Sequence, residues 1–147
     1  MNALLIEDND DEREIYRSFL QGAGFSFIDE RMTAKDAISL LCADQKYDLI
    51  VLDLKLPDSK PAATFPAISS YAGNIPILVI TGNPVCMKSG LETVANGMLC
   101  KPFTRAEFIK TAKDAMRSQR YRPLFPVALL INYDLKNDMQ HTKLSVA

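Results

Sequence analysis

The chain of 147 residues is 48% hydrophobic, enough to fill one core and too little to divide between two, so one domain with a tail is expected. Seventeen Lys and Arg against eighteen Asp and Glu leave a net charge of −1, which excludes a global attraction to nucleic acid or an anionic membrane and puts function in a local site. Cys42, Cys86 and Cys100 are odd in number, widely spaced and part of no Cys/His ligand pattern, which argues against a disulfide framework or zinc centre and for reduced thiols in a cytoplasmic protein.

The opening run Met1 to Ile6 turns acidic at Glu7, without the basic flank and long apolar stretch of a signal peptide, and no later segment approaches the roughly 20 apolar residues of a membrane span. Leu4-Leu5-Ile6 reads as a first buried strand. A helix starts at Asn9, whose side chain caps it while Glu12 completes a capping box. Ile15, Phe19 and Ala23 share its buried face, and Gly22 and Gly24 let the chain turn out. Phe25 to Ile28 is predicted as a short second strand. Thr33 and Asp36 form a weaker capping box for a second helix, which buries Ala37, Ile38 and Leu41 and ends between Ala43 and Lys46.

Leu49-Ile50-Val51-Leu52 is the third strand. From Pro57 to Gly73, prolines at 57, 61 and 66 argue against a long regular helix and leave only about residues 66–71 helical. Ile77-Leu78-Val79-Ile80 is the fourth strand. The helix expected between Val85 and Ala95 carries Gly90 in its middle, at a cost of roughly 1 kcal/mol against alanine. Met98-Leu99-Cys100 is a weaker fifth strand. Thr104 with Glu107 starts the last helix, where Phe108, Ala112 and Ala115 or Met116 share a face. Short apolar strands alternating with helices predict an α/β fold built on a parallel sheet.

Each of four strand runs is followed by polar residues: Glu7 and Asp8, Asp53, Thr81 and Lys101. In an open parallel sheet those strand ends line the crevice where ligands bind. Three carboxylates, a hydroxyl and an ammonium suit a hard cation beside a phosphoryl group. Glu7, Asp8 and Asp53 offer oxygen ligands to magnesium. The Asp53 carboxylate attacks phosphorus to give an acyl phosphate, Thr81 donates to one phosphoryl oxygen and Lys101 pairs with another. Singly, these residues have bland readings: a solvated acidic run at a helix N-terminus, two turn residues and a surface lysine. The combination in this order is what carries the signal.

The segments ALLIEDND, LIVLDLKLPD, ILVITGN and LCKPF resemble the four signature stretches of response-regulator receiver domains, in order, across about residues 1–119. The resemblance implies a flavodoxin-like, doubly wound five-stranded parallel sheet in the order 2-1-3-4-5 with helices on both faces. It implies Glu7 and Asp8 as the acidic pair, Asp53 as phosphoacceptor, Thr81 as switch hydroxyl and Lys101 as the lysine before a cis proline. It also implies magnesium held by Glu7, Asp8, Asp53 and the Lys55 backbone carbonyl, and a histidine kinase or histidine phosphotransfer protein as donor. The chain departs from the family at Met98, where an aromatic residue is usual, and in the loop after Asp53, which has no glycine before Gly73. Lys55 and Asn83 flank the presumed path of attacking water, so the acyl-phosphate lifetime does not follow from the family.

Two other classes compete. A pseudo-receiver would keep the fold and signal by contact without phosphorylation. An aspartyl-phosphate hydrolase would need a second aspartate two residues after the nucleophile, where this chain has Lys55. The expectation is therefore a phosphoacceptor receiver and not an enzyme acting on a separate substrate. The tail, residues 120–147, has no helix-turn-helix pattern, so no effector domain and no nucleic-acid partner are expected. Its apolar run Phe125 to Ile131 is expected to be buried, either back on the parent domain or across a two-fold axis on a second copy, with the homodimer favoured.

Overall fold

The structure is a computed structural model that describes residues 1–118. The expectations for the tail, the homodimer included, lie outside those residues. Five strands, β1 (Asn2–Ile6), β2 (Phe27–Arg31), β3 (Leu49–Asp53), β4 (Ile77–Thr81) and β5 (Gly97–Cys100), form one sheet in the order β2-β1-β3-β4-β5. All four pairings are parallel. Helices α1 (Asp10–Gly22), α2 (Ala34–Cys42), α3 (Pro61–Ala72), α4 (Leu91–Val94) and α5 (Arg105–Arg117) complete the predicted alternation.

Alternate side chains on a strand face opposite sides of the sheet, and the chain fills two cores accordingly. Ala3, Leu5, Val51, Leu78 and Ile80 pack with Tyr16, Leu20, Phe108, Ala112 and Ala115 of α1 and α5. Leu4, Ile6, Ile50, Leu52, Ile77 and Val79 pack with Ala34, Ala37, Phe65, Ile68 and Leu91 of the other helices. Strands buried on both faces explain why β1, β3 and β4 read as continuous apolar runs.

Several local expectations are corrected. Helix α1 buries Tyr16 and Leu20 while Ile15 is exposed, so its inward face is turned by one residue from the Ile15 face. Tyr16 stacks on Phe103 and Phe108, which makes it the better-packed side chain. Strand β2 runs to Arg31 and starts after Phe25, so it is longer and later than predicted. Its polar half is kept in the sheet by lateral pairing, Glu30 with Arg17 and Asp29 with Tyr47. Helix α2 ends at Cys42 with Ala43 as its C-cap, at the near edge of the expected range.

Helix α3 is a full helix over Pro61–Ala72 and not the short turn predicted. Pro61 sits in its first turn, where no intrahelical N–H is needed, and Pro66 lies inside it. The missing Pro66 N–H is tolerated because Ala62, Phe65, Ile68 and Ala72 line one buried stripe. The segment after β4 breaks where Gly90 suggested. A 3₁₀ turn at Pro84–Lys88 is followed by Gly90 at φ 91°, and only the four residues of α4 are helical beyond it. Among the described residues no helix is long and apolar enough to cross a membrane.

Candidate functional site

Sheet register brings the polar residues together. Ile6 pairs with Leu52, so Glu7 and Asp53 leave adjacent strands side by side; Thr81 pairs with Cys100, the neighbour of Lys101. The Lys101 N–H bonds the Thr81 carbonyl at 2.8 Å, carrying the β4–β5 ladder to the edge of the site. The Lys101-Pro102 peptide is cis, as the resemblance implied.

Asp53 is 3% exposed, and both of its carboxylate oxygens accept hydrogen bonds. The Lys55 N–H donates to Oδ1 at 2.7 Å and the Lys101 ammonium to Oδ2 at 2.7 Å. A second proton of Lys101 goes to Glu12 Oε2 at 2.8 Å. Burial works against charge on Lys101, yet the Asp53 and Glu12 carboxylates outweigh it and hold its pKa above the ordinary lysine range. Thr81 is buried, and its hydroxyl accepts the Asn83 N–H at 3.1 Å.

Glu7 is the most deeply buried carboxylate of the site. It is 1% exposed, Oε1 accepts the Asn9 N–H at 3.1 Å, and Oε2 is buried without a hydrogen-bond partner. Burial penalises its charged form, a hydrogen bond from the protonated carboxyl to Asp53 favours the neutral form, and the Asp53 charge adds repulsion, so its pKa rises from 4.5 to about 9. A buried oxygen with no donor, beside a second buried carboxylate, is what a hard divalent cation satisfies. The donor set therefore fits magnesium.

The carboxylates that converge include one, Glu12, that the sequence reading did not assign to the site. Glu7, Asp53 and Glu12 present oxygens within 4.8 Å of one another, whereas Asp8 is exposed and stands outside that group. The sequence pattern places Glu12 in a capping box with Asn9 and in the acidic run at the start of α1. The Asn9 side chain does accept the Glu12 N–H at 3.0 Å, but the reciprocal bond to the Asn9 N–H comes from Glu7. The Glu12 carboxylate is thereby released to Lys101. The signal was present in the sequence: helical side chains lean towards the N-terminus, so a glutamate in the first turn reaches back over the strand end.

Asp58, in the loop after β3, was also missed. Its two oxygens accept the Ala34 and Lys35 N–H groups at 2.9 Å each, capping α2 from outside, while Thr33 accepts only the Asp36 N–H. The predicted Thr33–Asp36 box is half formed: Thr33 serves the Asp36 N–H, and Asp58 serves the Ala34 and Lys35 N–H groups beside it. Thr104 and Glu107, in contrast, make the reciprocal box in full.

The chain resembles known proteins over the same residues. The family model described as response regulator receiver domain matches residues 3–113. Swarming motility regulation protein RssB of Serratia marcescens is 34% identical over 119 residues, covering 80% of this chain and 53% of that protein. Two-component system protein A of Emericella nidulans is 31% identical over 114 residues, 74% of this chain and 16% of its own length. The chain thus spans about half or less of these relatives. The receiver domain of sensor histidine kinase PA1611 from Pseudomonas aeruginosa, described with a magnesium ion in its active site cleft, superposes with a TM-score of 0.68 at 25% identity. That match covers 80% of this chain and 98% of the other. A CheY-like receiver domain from Methylobacillus flagellatus shares the fold at a TM-score of 0.68, covering 78% of this chain and 98% of the other. With the sheet order, the polar residues at four strand ends and the family match in agreement, the chain belongs to the response regulator receiver domain family.

Proposed function

We propose that this receiver domain accepts a phosphoryl group on Asp53 from a phosphohistidine, carried by a histidine kinase or a histidine phosphotransfer protein, in the cytoplasm. The observation that carries the reading is the environment of Asp53: a buried carboxylate with a backbone N–H on one oxygen and an ammonium on the other, beside a buried glutamate oxygen lacking a donor. In the transfer, an Asp53 oxygen bonds to phosphorus as the P–N bond breaks and the imidazole leaves. The Lys101 ammonium then follows the negative charge to a phosphoryl oxygen, and the Thr81 hydroxyl turns from Asn83 to donate to another. Magnesium held by Glu7 and Asp53, with Asp8 and the Lys55 carbonyl as further ligands, would offset the charge of the incoming group. The protein acts on itself and turns over no separate substrate.

The test is incubation with acetyl phosphate and magnesium followed by intact-mass measurement. Wild type should gain one phosphoryl group, and Asp53→Asn should fold and gain none. A pseudo-receiver is the second reading. It is favoured by Met98, half-buried among the apolar side chains around α3 and α4 where the family usually carries an aromatic ring. It requires that no label appears and that partner binding is insensitive to Asp53→Asn.

A further inference from the structure

Resting on the phosphoacceptor reading of Asp53, we infer that Glu12 is a positioning residue that masks Lys101, so that a phosphoryl group entering the site must displace a carboxylate from the lysine. The ammonium stands between two carboxylates at nearly equal distance, 2.7 Å to Asp53 Oδ2 and 2.8 Å to Glu12 Oε2. The two anchors differ in kind. The Asp53 side chain is 4% exposed and that of Glu12 is 35% exposed, on the solvent side of the lysine.

Glu12 also completes the group of three carboxylate oxygens within 4.8 Å, in which the buried Glu7 oxygen has no donor. One ammonium thus serves the Asp53 and Glu12 carboxylates at once, with Glu7 beside them. A phosphoryl group on Asp53 needs the Lys101 donors for its own oxygens. Once the lysine turns to it, Glu12 is left as an unpaired anion next to the new charge, and like charges at this range oppose one another. Glu12 therefore holds the lysine in place before transfer and resists the anion during it. A divalent cation in the pocket relieves that resistance, which makes labelling more dependent on magnesium than it would be without Glu12.

The helix start does not depend on this carboxylate, because Asn9 caps the Glu12 backbone N–H. Glu12→Gln therefore removes the charge and keeps both the cap and the side-chain length. Wild type, Glu12→Gln and Glu12→Asp are labelled with acetyl phosphate over a range of magnesium concentrations and followed by intact mass. Glu12→Gln should be labelled faster, on the order of tenfold at limiting magnesium, through a lower KM for acetyl phosphate. Glu12→Asp, which keeps the charge, should restore wild-type behaviour. Without magnesium, rising orthophosphate should raise the melting temperature of Glu12→Gln more than that of wild type. A role confined to the helix start would shift the melting temperature alone and leave the KM unchanged. If wild type is labelled and Glu12→Gln is labelled no faster at any magnesium concentration, the inference is overturned while the phosphoacceptor reading stands. If wild type takes no label, the phosphoacceptor reading fails and this inference falls with it.

Discussion

Glu7 shows how one side chain can set the electrostatics of a site. In the unfolded chain its carboxyl titrates near 4.5, and in the fold only at about 9. Between those values the native state binds the proton that the unfolded state releases. The raised pKa therefore contributes stability that is fully present below about pH 4.5 and is lost as pH rises through about 9. Metal-free protein should melt at progressively lower temperature across that window. Glu7→Gln should flatten the pH profile and, at neutral pH, stabilise the metal-free fold by about 1–3 kcal/mol. Magnesium should add stability to wild type, about 2.7 kcal/mol at a hundredfold excess over Kd, and markedly less to Glu7→Gln. Melts from pH 5 to 9 with and without magnesium check all three statements. Parallel wild-type and variant profiles would place Glu7 outside the cation site.

Among the elements, α2 and α3 depend on devices that local propensity does not describe. Asp58 reaches from the β3–α3 loop to two backbone donors at the start of α2. Burial alone would raise its pKa, but the Lys35 and Ala34 N–H groups hold it below the ordinary carboxylate range. Its stabilisation is therefore present above the usual carboxylate pKa and lost as pH falls through the depressed value. Asp58→Ala should cost about 1–2 kcal/mol at neutral pH, by analogy with removing a helix cap, and the difference from wild type should shrink in acid. Urea unfolding at pH 7 and pH 3 measures this.

In α3, Pro66 withdraws an N–H from the middle of a helix whose inward stripe is otherwise well filled. Pro66→Ala restores that donor at the cost of a more flexible unfolded chain, and should raise stability by about 1–2 kcal/mol in the same unfolding experiment. A loss of stability would mean that the proline ring packs better than the missing hydrogen bond costs.

At the scale of the whole molecule, one sheet separates two cores, and the core on the α1–α5 side is organised by stacked aromatic rings. Tyr16, one turn after Glu12 on α1, lies 5.8 Å from Phe108 and 5.6 Å from Phe103, centroid to centroid. Gly97 lets α5 close on this side of the sheet, since a side chain there would meet Leu78, Thr111 and Ala115 at 3.2–3.3 Å. Phe108 is fully buried, so Phe108→Ala should cost about 3–5 kcal/mol, whereas Ile15→Ala on the exposed face of α1 should change stability by about 0.5 kcal/mol or less. Denaturant titrations of both variants test the rotation of α1 found here against the Ile15-inward face.

What the sequence by itself determined was the periodic and the terminal. The apolar runs of β1, β3 and β4 announced strands buried on both faces, Thr104 with Glu107 announced α5, and the polar residues after each strand announced where a parallel sheet would collect them. Such signals are legible because they depend on neighbours along the chain. Tertiary structure alone decided the rest. Whether Ile15 or Tyr16 faces inward is a difference of one residue around α1, settled by rings contributed more than 80 positions away. The charged half of β2 stays in the sheet because Arg17 and Tyr47 pair with it, and α3 survives Pro66 because its stripe has a core to enter. At the site, Glu12 joined Glu7 and Asp53 because Glu7 took the Asn9 N–H and Lys101, 89 positions from Glu12, offered its ammonium to the carboxylate left free. Where two local partners are equally available, spacing along the chain is silent, and the through-space partner makes the choice.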